Sequence, residues 1–223
     1  QSSNSLPETL RLVALERAEI AGVVGWVDLA AQLEPQLGQI ENVSRRPLVG
    51  VRHLVHIDPD PEWLARPDVS RGLTELAEHG LAYDLVLRPS QLAMAAEVAS
   101  AHPELRFVLD HLGGAPVGED LGEWRAGISA LAAESNVVAK VSGIASGLRP
   151  GQWSVEDVRA VFGIALDSFG PDRLLYGSDW PLVELGGGAK RWREAVDELA
   201  NGLSSAERNA LFSDNAREAY RLG

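Results

Sequence analysis

The segment Leu174-Leu175-Tyr176-Gly177-Ser178-Asp179-Trp180-Pro181 carries the pattern that decides the fold: an apolar run, two small residues and then an acidic side chain. A short continuous apolar run is typical of a parallel strand that is buried on both faces. Similar runs occur earlier in the chain at residues 23–27, 49–55, 83–87, 107–111 and 137–141. Helical patterns lie between these runs, so the sequence predicts an α/β protein with a parallel sheet.

The helical segments begin at recognisable start signals. Pro7 follows Ser5 just inside the first predicted helix, where its fixed φ is favourable. Ser154 and Ser204 are each followed three residues later by an acidic residue, which is the pattern of a capping box. No linker, low-complexity tract or shift in composition interrupts the series. Residues 1–223 are therefore predicted to form one domain.

The composition excludes several classes of function. The chain has 20 Lys and Arg against 32 Asp and Glu, a net charge of −12, and lacks the basic stripe that a nucleic-acid partner requires. No apolar run is long enough for a membrane span, so a membrane partner is not expected. Cysteine is absent, which excludes disulfides, thiolate metal sites and cysteine nucleophiles and fits a cytoplasmic location.

Polar or ionisable side chains stand where each apolar run ends. Active sites of parallel α/β proteins gather at the carboxyl ends of the strands, so a site is predicted there. In chain order these side chains are Asp28, Arg52 with His53 and His56, Asp84 with Arg88, Asp110 with His111, Lys140 with Ser142, and Ser178 with Asp179.

His111 and Asp179 are the strongest catalytic candidates. An imidazole at a strand end can bind a divalent metal or transfer a proton, although it can equally be a core histidine bonded to a carbonyl. Its neighbour Asp110 is expected to point to the other face of the sheet, because side chains alternate along a strand. Asp179 can accept a proton from water or bind a metal that activates water, the alternative being a helix N-cap. Trp180 beside it could wall a pocket.

Other residues of the strand ends are candidates for substrate binding. Arg52 suits a carboxylate or a polarised carbonyl oxygen, or else a salt bridge. Of the two nearby histidines, His53 lies nearer the strand end and His56 is assigned to the loop. Lys140 and Ser142 could hold an oxyanion, unless the lysine is simply paired with a carboxylate.

Several sharper motifs are missing. The serine of Gly143-Ile144-Ala145-Ser146-Gly147 stands one place too late for the GxSxG elbow of serine hydrolases. Lys190 follows three glycines but lacks the next Ser or Thr of a phosphate-binding loop. The sequence therefore gives little support to the hypotheses of a serine-triad enzyme or a nucleotide-binding enzyme.

Five segments together resemble the metal-dependent amidohydrolase superfamily in its amidohydrolase 2 branch, and are most similar to its sugar-lactone and 2-pyrone-4,6-dicarboxylate lactonases. These segments are residues 22–29, 48–53, 107–113, 137–143 and 175–181. The resemblance implies a (β/α)8 TIM barrel with a His-x-His pair on strand 1, further histidines on middle strands, and an aspartate ending strand 8 that takes the proton of the attacking water. His111 matches a later histidine, and Asp179 matches the strand 8 aspartate.

The sequence departs from the family pattern in two places. It contains no His-x-His, and Asp84 stands where many members carry a metal-binding histidine. We therefore expect an N-terminally incomplete barrel, with the first one or two strands and roughly 40–60 residues lying before Gln1. For the cofactor, the resemblance implies either one divalent metal, zinc or manganese, held by His111 and Asp179, or no metal.

The expected activity is hydrolysis of a sugar lactone or a carboxylated lactone, with a small molecule as the partner. Asp179 would be the general base, and His111 would orient the water or the carbonyl. The residues expected to contact the substrate are Arg52, His53, Asp84, Lys140, Ser142 and Trp180. The alternatives are a metal-dependent decarboxylase of the same superfamily and a catalytically inactive barrel that binds a ligand. The sequence is compatible with a homo-oligomer and does not decide the oligomeric state.

Overall fold

The computed structural model describes residues 3–223, and its centre is a sheet of six parallel strands. The strands are β1 (Val23–Gly25), β2 (Leu48–His53), β3 (Ala82–Leu85), β4 (Phe107–Leu109), β5 (Val137–Val141) and β6 (Leu174–Tyr176). Each predicted run forms a strand, and β1, β2, β3 and β4 each end two residues earlier than predicted.

Helices separate the strands and cover the outer face of the sheet. They are α1 (Leu6–Val13), α2 (Glu34–Val43), α3 (Pro67–Glu78), α4 (Leu92–Ala101), α5 (Gly122–Ala133), α6 (Val155–Phe169), α7 (Ala189–Leu199), α8 (Ser205–Asn209) and α9 (Asn215–Ala219). Two of the predicted start signals form capping boxes, at Ser154 with Asp157 and at Ser204 with Glu207. Within residues 3–223 no helix has the length and apolarity that crossing a bilayer requires.

The order of the strands identifies the architecture. Each strand pairs in parallel with the next one along the chain, from β1 through to β6. This order is that of a (β/α)8 barrel, whereas a doubly wound sheet reverses its order at a switch point. The described residues thus supply six strands of an eight-stranded barrel, which confirms the predicted fold class.

The inner face of the sheet is built in two layers. Ala82, Val108, Val138 and Leu175 form an apolar layer near the amino ends of their strands. Side chains two residues further along a strand return to the same face, and here Asp84, Asp110 and Lys140 follow the first three of these residues. The inner face therefore changes from apolar to charged as it approaches the carboxyl ends of the strands.

Candidate active site

A cavity of about 590 Å³ opens at the carboxyl ends of the strands. This is the size of a pocket for a small-molecule ligand, and it lies where barrel enzymes place their active sites. The polar side chains that line it are Arg52, His56, Asp110, His111, Ser146 and Asp179, and the large apolar ones are Leu54, Ile57, Val86, Leu87, Trp180, Pro181 and Leu182. The site thus combines one polar wall with an extensive apolar wall.

His111 and Asp179 meet at this cavity although they follow different strands. Nε2 of His111 lies 3.6 Å from Oδ1 of Asp179, which is too long for a direct hydrogen bond. Two polar atoms at that separation can both lie about 2.8 Å from a third atom, such as a water oxygen. The pair can therefore hold one water molecule between a carboxylate and an imidazole.

Neighbouring hydroxyls fix both side chains. Nδ1 of His111 is hydrogen-bonded to the Ser142 hydroxyl at 2.9 Å, and the Ser142 side chain is buried. The Ser146 hydroxyl donates to Oδ2 of Asp179 at 2.5 Å. Ser142 therefore binds the His111 ring without lining the cavity, whereas Ser146 lines the cavity.

The backbone at the site is unusual for residues other than glycine. His111 and Asp179 have φ values of 56° and 57°, in the left-handed region that is costly for side chains with a Cβ. The turn at His111 breaks the alternation of the strand, so that Asp110 and His111 both line the cavity. The expectation that Asp110 points away from the site is therefore wrong. Gly143 makes room for this turn, since a Cβ there would lie 2.5 Å from the His111 ring.

A buried cluster of charges underlies the cavity. Arg52 donates to Asp110 at 2.5 Å, and the Lys140 ammonium lies 2.7 Å from Asp110 and 2.6 Å from Asp84. The Tyr220 hydroxyl donates to both oxygens of Asp84, at 2.8 and 2.9 Å. Lys140 and Asp84 face a separate cavity of about 280 Å³, so their placement does not support substrate contacts in the main cavity.

The pKa values within this cluster reflect burial and mutual attraction. Burial alone would lower the pKa of Lys140, but the carboxylates of Asp110 and Asp84 raise it well above its usual value. Burial would raise the pKa of the Asp110 carboxyl, yet the nearby cations, Lys140 first among them, hold it below its usual range. For Asp84, burial outweighs the attraction of Lys140 and its pKa is raised. Asp84 is thus the carboxyl that takes up a proton more readily.

His53 occupies the opposite face of β2 from Arg52. Its ring stacks on Trp63 at a centroid distance of 3.7 Å, and its Nε2 lies 2.7 Å from an Asp58 carboxylate oxygen. The Trp26 indole N–H donates to its Nδ1 at 3.1 Å. Burial lowers the pKa of His53 despite Asp58. His53 is absent from the cavity lining, so its placement does not support the predicted substrate contact.

His56, which the sequence assigns to a loop, lines the cavity in place of His53. It lies in the single turn Val55–Ile57 after β2, and its Nδ1 is buried without a hydrogen-bond partner. Burial is the main cause that lowers its pKa, so the ring is neutral near pH 7. Strand alternation alone predicts that His53 lies on the face opposite Arg52. No local sequence pattern predicts that His56 lines the cavity or that Ser146 is hydrogen-bonded to Asp179.

The metal donors at the site are few. Of the His and Asp side chains that line the cavity, His111 and Asp179 lie close together, whereas a catalytic zinc site takes three protein ligands. Across residues 3–223 no group of three His, Cys, Asp or Glu side chains converges on one point. The described donors therefore do not by themselves fit a catalytic metal.

Residues 8–222 match the protein family described as Amidohydrolase. The chain belongs to this family. It is 33% identical over 225 residues to an L-fucono-1,5-lactonase of Burkholderia multivorans, a match that covers 94% of this chain and 74% of the relative.

Solved structures of this family share the fold. A crystal structure of an amidohydrolase from Burkholderia multivorans with bound zinc is 34% identical, with a TM-score of 0.90 over 100% of this chain and 82% of that one. A putative 2-pyrone-4,6-dicarboxylic acid hydrolase of Pseudomonas putida is 21% identical, with a TM-score of 0.76 over 98% of this chain and 78% of that one, which shows the fold alone. The predicted membership of the amidohydrolase family is confirmed.

Proposed function

We propose that this protein hydrolyses the ring ester of a lactone, with Asp179 as the general base. The observation that carries the proposal is the convergence of His111 and Asp179, 3.6 Å apart, in the cavity of an amidohydrolase that is 33% identical to an L-fucono-1,5-lactonase. A water molecule bound by both groups has its proton acceptor and its orienting group in place before the substrate arrives.

The proposed reaction uses a single water molecule. Its oxygen attacks the carbonyl carbon while Oδ1 of Asp179 takes the proton. The carbonyl oxygen becomes negatively charged, and Arg52, which lines the cavity, supplies a positive charge to stabilise it. The ring C–O bond then breaks, and the departing oxygen takes the proton back from Asp179 to give a hydroxy acid. Charge balances at each step without a co-reactant.

The charges around the cavity favour an uncharged substrate. Arg52 and Lys140 are balanced by Asp84 and Asp110 within the buried cluster. Asp179 adds a further negative charge at the cavity. A lactone with two carboxylates would meet no excess of positive charge here, so we propose an uncharged sugar lactone.

The walls of the cavity fit a sugar ring. Trp180 lines the cavity and is 70% exposed, and Ile57 and Leu182, which also line it, are 59% and 55% exposed. An aromatic face beside aliphatic groups suits the C–H face of a ring. The ring of His56 also lines the cavity and supplies a hydrogen-bonding group for a substrate hydroxyl.

The test is a pH-indicator assay of the purified protein against a panel of lactones. The panel holds L-fucono-1,5-lactone, other aldonolactones and 2-pyrone-4,6-dicarboxylate, each with and without a chelator, and bound metal is measured in parallel. We expect acid release with uncharged sugar lactones and little with the dicarboxylate. An aromatic acid is tested separately in a carbon dioxide assay, where release of the gas would favour a decarboxylase. Lactone binding without acid release would favour an inactive barrel.

A further inference from the structure

Ser146 has no role in the chemistry proposed above, yet it makes a short contact with the general base. It lies in the single turn Ala145–Gly147 that follows β5, whereas Asp179 follows β6. Its hydroxyl donates to Oδ2 of Asp179 at 2.5 Å. A hydrogen bond to an ionised carboxylate is among the stronger ones that a neutral side chain makes.

This contact makes the two oxygens of Asp179 different. Oδ2 is occupied by Ser146, while Oδ1 lies 3.6 Å from Nε2 of His111 and faces the proposed water. A carboxylate turns about its last torsion with little preference, so a fixed donor on one oxygen decides where the other oxygen points.

The segment that carries Ser146 is itself held in place. Four residues before it, Ser142 is hydrogen-bonded to Nδ1 of His111 at 2.9 Å. On its other side Gly186 packs so closely that a Cβ there would lie 2.0 Å from the Ala145 carbonyl oxygen. Residues 142–146 therefore contact both catalytic side chains, although this segment follows β5 and the catalytic residues follow β4 and β6.

We propose that Ser146 is a positioning residue that directs Oδ1 of Asp179 at the attacking water. The proposal rests on the proposed lactone hydrolysis. Ser146 acts through Asp179 and forms no bond to the substrate. Its loss leaves the base present but free to rotate, which lowers the rate of the chemical step and leaves substrate binding in place.

The test compares Ser146→Ala, Ser146→Thr and a matched control, Ser44→Ala, in steady-state hydrolysis of the best lactone. The Ser44 hydroxyl donates to the Ile40 carbonyl at 2.7 Å, and Ser44 precedes the amino end of β2, whereas the active-site cavity lies at the carboxyl ends of the strands. We expect Ser146→Ala to lower kcat by about ten- to a hundredfold, the factor for one hydrogen bond to a charged group, with KM nearly unchanged. Ser146→Thr keeps the hydroxyl and should recover most of kcat, and Ser44→Ala should match the wild type.

Three results would overturn the proposal. They are a wild-type kcat in Ser146→Ala, an equal loss in the Ala and Thr variants, and an acyl adduct on Ser146 in mass spectra of the enzyme quenched during turnover. The last would make Ser146 a nucleophile.

Crystal structures of the wild type and Ser146→Ala give a readout that needs no activity. A carboxylate of Asp179 that rotates in the variant supports positioning, and one that stays in place refutes it. If the wild type hydrolyses no lactone, the proposed function fails, and this comparison still decides whether Ser146 orients Asp179.

Discussion

Replacing Lys140 by Met should destabilise the protein strongly, because the lysine neutralises two buried carboxylates. Its ammonium lies 2.6 Å from Asp84 and 2.7 Å from Asp110, and both of these side chains are 1% exposed. Methionine has a similar length and no charge, so the variant retains the packing and leaves Arg52 as the remaining cationic partner of Asp110. Removing one partner of a buried ion pair costs about 3–5 kcal/mol. For a chain of this size that corresponds to a fall in Tm of about 6–20 °C.

The loss should depend on pH with a definite sign. The pKa of Asp84 is already raised by burial, and losing the attraction of Lys140 raises it further. A carboxyl whose pKa is higher in the folded than in the unfolded protein binds its proton more tightly in the folded protein. It therefore favours folding at low pH, and that contribution is lost as pH rises through the folded pKa. The difference between variant and wild type should be smaller at pH 5.5 than at pH 8.

The chain provides its own control, since it has only one other lysine. Lys190 on α7 lies 3.8 Å from Glu194, and its side chain is 90% exposed. Lys190→Met should change stability by less than about 0.5 kcal/mol. Thermal unfolding followed by circular dichroism at both pH values measures all three proteins. Equal Tm values for Lys140→Met and Lys190→Met would refute the argument that burial makes the Lys140 cluster costly to break.

Further substitutions test the assignments at the site. Asp179→Asn should lower kcat by about 10²- to 10⁴-fold with an unchanged Tm, and a near wild-type rate in the lactone assay would remove Asp179 from the mechanism. His111→Ala should also lose activity, along with any bound metal measured by elemental analysis, and full activity would leave His111 a structural role. His53→Ala should cost about 1–3 kcal/mol in urea unfolding while kcat/KM stays at the wild-type value, whereas a selective loss of kcat/KM would return His53 to the site. His56→Ala should raise KM about fivefold, the factor for one neutral hydrogen bond to substrate, and an unchanged KM would argue against that contact.

Most of the fold could be predicted from the sequence because strands buried on both faces need continuous apolar runs. All six predicted runs form strands, and the capping boxes at Ser154 and Ser204 mark helix starts, since both signals arise from residues close together in the chain. The five segments that resemble the amidohydrolase family likewise indicated the family, which the comparisons confirm. These features depend on local sequence alone.

What the sequence left open depended on contacts between distant strands. Lys140 lies 56 residues from Asp84 in the chain, and Ser146 lies 33 residues from Asp179, so only the sheet brings each pair within hydrogen-bond distance. The path of the backbone was equally decisive, because the left-handed turn at His111 overrides strand alternation and brings His111 into the cavity beside Asp110. The sequence by itself determined which segments become strands and which chemistry gathers at their ends. The tertiary structure decided which of those side chains face the cavity and which neutralise one another beneath it, because that choice is made by packing between strands that local sequence does not encode.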